Sequence, residues 1–241
     1  MTLRQNLDNY FKSAFTVDNV IFGFDEGDLK VLLIHRNEAP FEGYWGLPGY
    51  FVRPDENLDS AANRVLRELT GLENVYLEQV HTFGAVDRHK FGRVITVAYY
   101  SLVRVDTFTP RPAGVASAAR WFSIKEVPTL GFDHEEILEY ALLKLQKSIR
   151  TRPIGFELLP AEFTLTDLQH LYESIWDTRL EKRNFRKKIL SMNLLIDLNR
   201  MQEGVAHRPA RLYAFDEEKY RELSEEGFLF ELKEGRRKAM A

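Results

Sequence analysis

Cysteine is absent from the 241-residue sequence. Its absence excludes disulfide bonds, thiolate-ligated zinc or iron–sulfur centres and a thiol nucleophile. Long apolar runs are also missing, since no segment approaches the roughly 18 apolar residues of a membrane helix. Residues 1–15 mix Arg4, Asp8 and Lys12 among apolar residues, unlike a secretory signal. We therefore expect a soluble cytoplasmic protein with no membrane segment.

Charge of one sign is not in excess, because 33 basic residues face 36 acidic ones, a net charge of -3. The balance excludes a chain that coats nucleic acid without selectivity, although it leaves room for a local basic surface. Hydrophobic residues make up 44% and aromatic residues 12% of the chain. That composition supplies the apolar surface of one large or two small cores, and excludes a mainly disordered chain.

The first 150 residues alternate predicted strands with two predicted helices, which indicates a mixed α/β domain. β-Branched and aromatic residues predict strands over 17–24, 29–35, 75–83 and 93–103. Apolar residues at helical spacing predict helices over 57–70 and 134–149. Two prolines and a glycine within 150–160 then mark a junction. We therefore predict two domains, 1–150 and 151–241.

The second predicted domain has the element order of a winged helix-turn-helix. Thr164 and Asp167 form a capping-box pattern, which predicts the start of a helix. A break at 177–178 separates this helix from a second one over 180–192. Strands over 194–198 and 211–215 follow and can pair around a loop, the wing.

Basic residues concentrate in the second of these helices and in the wing. From Arg179 to Arg211, nine basic residues face three acidic ones, a net charge of +6. A recognition helix in the major groove and a wing on the flanking backbone would use such a pattern. The alternatives are a basic helix that only faces solvent and a basic domain that binds RNA or protein. We predict DNA contacts from Arg179, Lys182, Arg183, Asn184, Arg186, Lys187, Arg200, His207, Arg208 and Arg211, with Arg183, Asn184 and Lys187 at base edges.

The segment 45–72 resembles the Nudix box, whose pattern is G-x5-E-x7-R-E-U-x-E-E-x-G-U, where U is a bulky aliphatic residue. The matching positions are Glu56, Arg64, Leu66, Glu68, Gly71 and Leu72. The resemblance implies the Nudix fold, in which three helical glutamates hold Mg²⁺ against a pyrophosphate. Two of those three positions are Val65 and Leu69 here, and Tyr50 replaces the first glycine.

From these departures we predict a degenerate Nudix domain with no metal site, no cofactor and no hydrolase activity. The alternative is an atypical Nudix hydrolase that acts on ADP-ribose or a related nucleoside diphosphate. We predict that a ligand contacts Trp45, Tyr50, Arg53, Glu56, Glu68, Arg88 and His89. Glu56, Arg64 and Glu68 also fit an ion-pair network that ties the loop to the helix, and we favour that structural role for all three.

The two halves together resemble the NrtR group of Nudix-related transcriptional regulators over nearly the whole chain. Beyond the Nudix box, the resemblance is carried by residues 131–137, 156–160 with 163–166, 182–190 and 207–213. It implies a sensing Nudix domain, a winged helix that binds operator DNA, and a homodimer on a palindromic operator. It therefore implies a ligand-responsive regulator, a repressor that its effector releases from DNA.

Such regulators respond either to ADP-ribose-type ligands or to a sugar such as L-arabinose. A pyrophosphate needs its charge neutralised by a metal ion or by arginines, and the metal-binding face is lost here. We therefore expect an uncharged sugar, with Arg53, Glu56 and Glu68 binding its hydroxyls. We expect the sugar to act by moving the two recognition helices of the dimer out of register with one turn of DNA, about 34 Å.

Overall fold

The computed structural model describes residues 13–205 and 208–232. The chain forms two compact units. The first contains the residues up to Gly23 and Lys30–Leu142, and the second contains Phe24–Leu29 and the residues from Leu143 on. The predicted domain boundary at residue 150 lies inside the second unit, and it stays a prediction. Among the described residues, the helices all fall short of the length and apolar character needed to cross a membrane.

A seven-stranded sheet dominates the N-terminal half. Its strands are β1 (Ala14–Asp25), β2 (Asp28–Arg36), β3 (Trp45–Gly46), β4 (Gly49–Phe51), β5 (Glu78–Phe83), β6 (Val94–Arg104) and β7 (Ala116–Ser123). The main path of the sheet runs β3-β2-β1-β6-β5, while β4 pairs with β1 and β7 pairs with β2. The central strands β1, β2 and β6 carry long buried runs of mainly apolar residues, so both of their faces are covered.

Helix α1 (Leu58–Thr70) packs one face against this sheet. It begins at Asn57, whose side chain accepts a hydrogen bond from the Ser60 N–H, and it ends at Gly71 in the left-handed conformation. Val65 and Leu69 belong to a core cluster that includes Val17 of β1. Burying a side chain of this size contributes about 1.5–3 kcal/mol to stability. The helix and its packing bring the loop 53–57 close to the sheet.

Helix α2 (His134–Thr151) begins at a buried histidine. His134 is almost completely buried at its first position, and Ile137, Ala141 and Leu145 form its fully buried side. A 3₁₀ turn, Pro153–Leu158, follows the helix. The predicted helices over 57–70 and 134–149 are therefore present, the second extending two residues further.

The remaining elements have the predicted order of a winged helix-turn-helix. They are β8 (Phe163–Thr164), α3 (Leu165–Trp176), α4 (Lys182–Ser191), β9 (Leu195–Met201), β10 (Arg211–Phe215) and α5 (Glu217–Glu225). The three strands form an antiparallel sheet in the order β8-β10-β9. The predicted capping box is present, since Thr164 and Asp167 exchange side-chain and backbone hydrogen bonds. The rings of Tyr172 and Phe185 lie 5.8 Å apart and fix α4 against α3.

Candidate functional site

A cavity of about 350 Å³ opens beside β1 and β4 in the first unit. Three of the predicted ligand residues, Tyr50, Arg88 and His89, contribute to its wall. Arg36 at the end of β2 and Arg93 just before β6 also line it, and the sequence analysis missed both. A volume of this size suits a nucleotide-sized ligand.

The floor of the cavity holds a buried cluster of charged groups around Asp18. Arg88 forms a two-pronged ion pair with Asp133, both N–O distances being 2.7 Å, and lies 3.8 Å from Asp18 Oδ2. Thr96 donates its hydroxyl to Asp18 Oδ2 at 2.6 Å. The adjacent polar residues Asp18 and Asn19 inside the predicted strand 17–24 are a sequence signal that could have indicated this site, because buried polar residues need an explanation.

His134 has a fixed orientation in this cluster. Its Nδ1 accepts a hydrogen bond from the Leu47 N–H at 2.9 Å, so the ring hydrogen lies on Nε2. Nε2 faces Asp18 Oδ1 at 3.4 Å. Burial alone would raise the pKa of Asp18, but His134, Thr96 and Arg88 together hold it below its ordinary value. Both carboxylate oxygens of Asp18 are therefore already in contact with polar or charged neighbours.

The hydrogen bonds of Arg36 and Arg93 go to backbone carbonyls, and the Arg36 guanidinium also lies over the Phe132 ring, 5.1 Å from its centroid. Arg36 is nearly buried and donates to the oxygens of Pro40 and Glu38 at 3.1 and 3.3 Å. Burial lowers its pKa, against the opposing influence of the carboxylates of Glu38 and Asp18. Arg93 Nη1 donates to the oxygens of Gly84 and Ala85 at 2.6 and 2.9 Å. Among residues 13–205 and 208–232, neither arginine forms an ion pair.

Aromatic rings form the other part of the cavity wall. His89 stacks on Phe132, with centroids 5.5 Å apart and an interplanar angle of 11°, and meets Phe51 and Phe91 edge-on. Phe91 is 74% exposed, and Phe51 and Tyr50 are about 40% exposed. Burial, then the nearby Arg88 and Arg36, lower the pKa of His89, which favours its neutral form. The wall can therefore stack a planar ring.

The Nudix-box helix does not present a face for Mg²⁺. Val65 and Leu69, at the positions of two family glutamates, are 0% and 4% exposed in the core. Glu68 is exposed, but its two oxygens accept from Arg53 at 3.2 Å and Arg64 at 3.0 Å. The residues present therefore do not fit the metal that the fold family implies. Within the described part of the chain, groups of three or more metal-ligating side chains are absent.

The predicted ion-pair network is present in the structure. Arg64 donates to both oxygens of Glu56 and to the Phe51 carbonyl, and it bridges to Glu68. Hydrogen bonds from Arg64 are the main cause that lowers the pKa of Glu56 to about 2. Arg53, Glu56 and Glu68, predicted as ligand contacts, thus lie outside the cavity wall and satisfy one another.

Trp45, another predicted ligand contact, also lies outside the cavity wall. Its ring packs edge-on against His35 at 5.1 Å and against Phe122 at 4.8 Å. Both neighbours belong to the sheet, so the indole fills space between β3, β2 and β7. This packing role is the alternative that an aromatic residue in a strand always has.

Helix α4 exposes a basic face. Lys182, Arg183, Asn184 and Lys187 are exposed, whereas Phe185 and Ile189 are buried. The Glu181 side chain caps the helix by accepting from the N–H groups of Arg183 and Asn184. Among the described residues, Lys182, Arg183 and Lys187 form no ion pairs, so their charges face solvent. This surface can meet phosphates and base edges.

The other predicted DNA contacts are placed differently. Arg186 is half-buried and donates to Thr166 Oγ1 at 2.9 Å, so it also holds α4 against α3. Arg179 is exposed, 3.5 Å from Glu173. In the wing, Arg200 is paired with Glu162 and Arg211 with Asp197, and Arg208 is exposed. His207 lies outside the described residues.

The comparisons with known proteins cover both halves of the chain. The NUDIX domain family matches residues 13–141, and the NrtR DNA-binding winged helix domain family matches residues 155–215. The chain is 35% identical, over 86% of its length and 84% of the relative's, to a protein of Acinetobacter baylyi named ADPR responsive transcriptional repressor NtrR. The predicted fold class, a Nudix fold followed by a winged helix, is confirmed.

Two solved structures of Shewanella oneidensis NrtR resemble the chain. The complex with a 27mer DNA has a TM-score of 0.72 and 32% identity, and the match covers 83% of this chain and 93% of that chain. The NUDIX domain complexed with ADP ribose has a TM-score of 0.53 and 35% identity, with coverages of 60% and 99%.

These relatives correct the expectation of a sugar effector. Their names and complexes refer to ADP-ribose, and none of them refers to arabinose or another pentose. The expectation was wrong because it considered only the metal-binding face that the helix has lost. The arginines that line the cavity lie outside the Nudix box, Arg36 at the end of β2 and Arg88 and Arg93 in the segment before β6, so the motif could not reveal them.

Proposed function

Because the chain belongs to the NrtR family of Nudix-related transcriptional regulators, we propose that it is a repressor that ADP-ribose releases from operator DNA. Its relative in A. baylyi is named for a response to ADPR, and the S. oneidensis structures were determined with DNA and with ADP ribose. The coarser statement, a DNA-binding regulator with a Nudix domain, follows from family membership. The effector and the switch are the proposed part.

The composition of the cavity is the observation that carries the proposal. ADP-ribose has a planar adenine, two ribose units and a diphosphate with two negative charges. The cavity supplies exposed aromatic rings at Phe51 and Phe91 for a base, and arginines for phosphates. A neutral sugar would leave Arg36 and Arg93 without a directly bound counter-charge. The chemistry of the wall therefore favours a nucleotide-like anion over a pentose.

We propose that α4 is the recognition helix and that the protein acts as a homodimer on a palindromic operator. Arg183, Asn184 and Lys187 are exposed on one helix, where they can reach base edges in a major groove. Lys182 and the arginines of the wing would contact the flanking phosphates. Arg200 and Arg211 would first have to leave Glu162 and Asp197, which weakens their contribution.

We further propose that the Nudix domain does not hydrolyse its ligand. The positions of two family glutamates are buried aliphatic residues, and Glu68 is held by two arginines. Incubation with ADP-ribose and Mg²⁺ should therefore yield no AMP above background, measured by chromatography. Formation of AMP at an enzymatic rate would favour the alternative of an atypical Nudix hydrolase.

A gel-shift experiment tests the regulator proposal. The DNA upstream of the protein's own gene neighbourhood is incubated with the full chain, alone and with ADP-ribose, L-arabinose or D-xylose. We expect a shift that ADP-ribose abolishes and the two pentoses leave unchanged. A shift that responds only to a pentose would overturn the effector, and the absence of any shift would overturn the regulator.

A further inference from the structure

The cavity has cationic side chains, but they are not equally available to a ligand. Arg88 is already neutralised, because its guanidinium makes two 2.7 Å contacts with Asp133 and lies near Asp18. A phosphate that approached Arg88 would compete with a buried two-pronged ion pair and would meet two carboxylates. Arg88 is therefore a poor candidate for the main phosphate contact, although the sequence analysis selected it.

Arg36 and Arg93 are in the opposite situation. Each donates to two neutral backbone carbonyls, and among the described residues neither has a carboxylate partner. Arg36 is more than nine-tenths buried, and the nearby carboxylates of Glu38 and Asp18 form no ion pair with it, so burial of its charge is only partly compensated. An anionic ligand in the cavity would relieve that cost, since two arginines match the two charges of a diphosphate.

The Nudix family solves the same charge problem with Mg²⁺, and this chain has lost the means to do so. Val65 and Leu69 lie in the core, and both oxygens of Glu68 accept from arginines. The two observations are complementary, because two of the three glutamates that could hold a metal are replaced, and two arginines of the cavity form no ion pair among the described residues.

We propose that Arg36 and Arg93 bind the diphosphate of ADP-ribose directly and that no divalent metal ion takes part. This inference rests on the proposed function and specifies how its site works. The exposed rings of Phe51 and Phe91 remain available for the adenine. Charge-assisted hydrogen bonds from guanidinium groups replace the metal, so binding of the effector is independent of Mg²⁺.

Isothermal titration calorimetry of the full chain with ADP-ribose tests metal independence. One titration contains EDTA, and the other contains MgCl₂ at matched ionic strength. We expect the two dissociation constants to agree within about threefold, because no contact to the diphosphate depends on the metal ion. A tenfold difference would correspond to a lost interaction of about 1.4 kcal/mol. Binding that needs Mg²⁺ would overturn the inference and leave the proposed function intact. An absence of binding in both buffers would overturn the proposed function together with the inference.

Substitution of the arginines tests which side chains carry the charge. Arg36→Gln and Arg93→Gln should each weaken the binding of ADP-ribose at least tenfold. Arg120 is an exposed residue of β7 outside the cavity wall, so Arg120→Gln should leave binding unchanged. Uncharged adenosine separates a phosphate contact from a packing effect. The variants should bind adenosine as the unchanged protein does, and an equal loss for adenosine and ADP-ribose would overturn the assignment. Arg36→Lys, which keeps the charge, is the second variant if Arg36→Gln fails to fold. Its affinity for ADP-ribose should lie between that of the unchanged protein and a tenfold weaker one.

Discussion

Two glycines leave room for the buried groups beneath the cavity. A Cβ built on Gly49 would lie 1.8 Å from Asp18 Oδ1, and one on Gly46 would lie 2.9 Å from His134 Nδ1. No L side chain can occupy the first of these positions without moving the carboxylate. The glycines of the segment 45–50 therefore serve the charged cluster by their lack of a side chain, not by their backbone freedom.

Gly49→Ala should destabilise the protein and weaken binding of ADP-ribose. The added methyl group forces Asp18 away from Thr96 and His134, and we expect a loss of about 1–3 kcal/mol in the free energy of unfolding. Urea denaturation followed by circular dichroism measures it. Gly84→Ala is the control, because its methyl group only meets the Arg93 side chain at 3.7 Å. Equal stability of the two variants would contradict this account of Gly49.

Glu56→Gln should destabilise the protein in a pH-dependent way. The carboxylate accepts from the Arg53 N–H and from Arg64, both at 2.8 Å, and its pKa is lowered to about 2. Hydrogen bonds to charged groups are worth about 1.5–3 kcal/mol. A lowered folded-state pKa means that this stabilisation is complete above the unfolded pKa of about 4.3, and is lost as the pH falls toward 2.

The difference in stability between Glu56→Gln and the unchanged protein should therefore shrink as the pH is lowered from about 5. Thermal unfolding at several pH values measures the difference. Glu73→Gln, which removes an exposed carboxylate, should change stability little at every pH. A difference that stayed constant down to pH 2 would show that the ionised form of Glu56 is not what stabilises the loop.

Among the elements, α1 uses two positions of the Nudix pattern for packing. The family pattern would place Val65 and Leu69 as glutamates toward a metal, whereas here both side chains lie in the core with Val17 and Ile34. The helix has its cap at Asn57 and its end at Gly71, while two of its three family glutamate positions are aliphatic.

Restoring the family glutamates should therefore not restore an enzyme. Val65→Glu and Leu69→Glu bury carboxylates without partners, and each should destabilise the protein by at least about 3 kcal/mol. Thermal unfolding measures the loss, and AMP formation from ADP-ribose with Mg²⁺ measures activity. Asn63→Glu adds the same group to the exposed face of α1 and should be tolerated. A folded double variant that hydrolyses ADP-ribose would contradict this picture of the helix.

Substitution of two arginines on α4 should affect DNA binding and stability differently. Arg183 is exposed, so Arg183→Ala should reduce the preference for operator over non-operator DNA by about 1–3 kcal/mol and leave folding unchanged. Arg186 donates to Thr166, so Arg186→Ala should weaken all DNA binding and also lower the stability of the winged helix. Competition binding and thermal unfolding measure the two effects.

The control for both variants is Arg221→Ala, which removes an exposed arginine of α5. We expect it to leave operator preference and stability unchanged. If Arg183→Ala and Arg221→Ala bind operator DNA alike, the recognition surface lies elsewhere than α4.

The sequence predicted the elements whose local signals are strong and missed those that depend on distant partners. The capping box of Thr164 and the helical spacing of 57–70 located two helices to within about a residue. The strand 116–123 was missed because it contains three alanines and becomes a strand only by pairing with β2. The predicted strand over 75–83 begins only at Glu78, and α5 was not predicted.

The same limit applies to the candidate site. Tyr50, Arg88 and His89 were predicted to meet a ligand and do line the cavity, whereas Arg36 at the end of β2 and Arg93 just before β6 reach it only because β1 lies between these two strands in the sheet. Trp45 and Arg53 were selected for their type and their nearness to the motif, yet other side chains satisfy them. A motif shows which chemistry a fold family can perform, and only the packed structure shows which side chains share a cavity.

At the scale of the whole molecule, the proposed function requires that the cavity and the winged helix are thermodynamically coupled. ADP-ribose can release DNA only if it binds the DNA-incompetent state better than the competent one. The coupling is reciprocal. Operator DNA must therefore lower the affinity for ADP-ribose by the same factor by which ADP-ribose lowers the affinity for operator DNA. A coupling free energy of about 1–3 kcal/mol corresponds to roughly 5- to 150-fold in affinity.

Fluorescence anisotropy of labelled operator DNA, titrated with the full chain at zero and at saturating ADP-ribose, measures this coupling most directly. We expect operator affinity to fall by roughly 5- to 150-fold with ADP-ribose and to stay unchanged with saturating L-arabinose. Operator affinity that stays the same while calorimetry shows ADP-ribose bound would contradict this coupling.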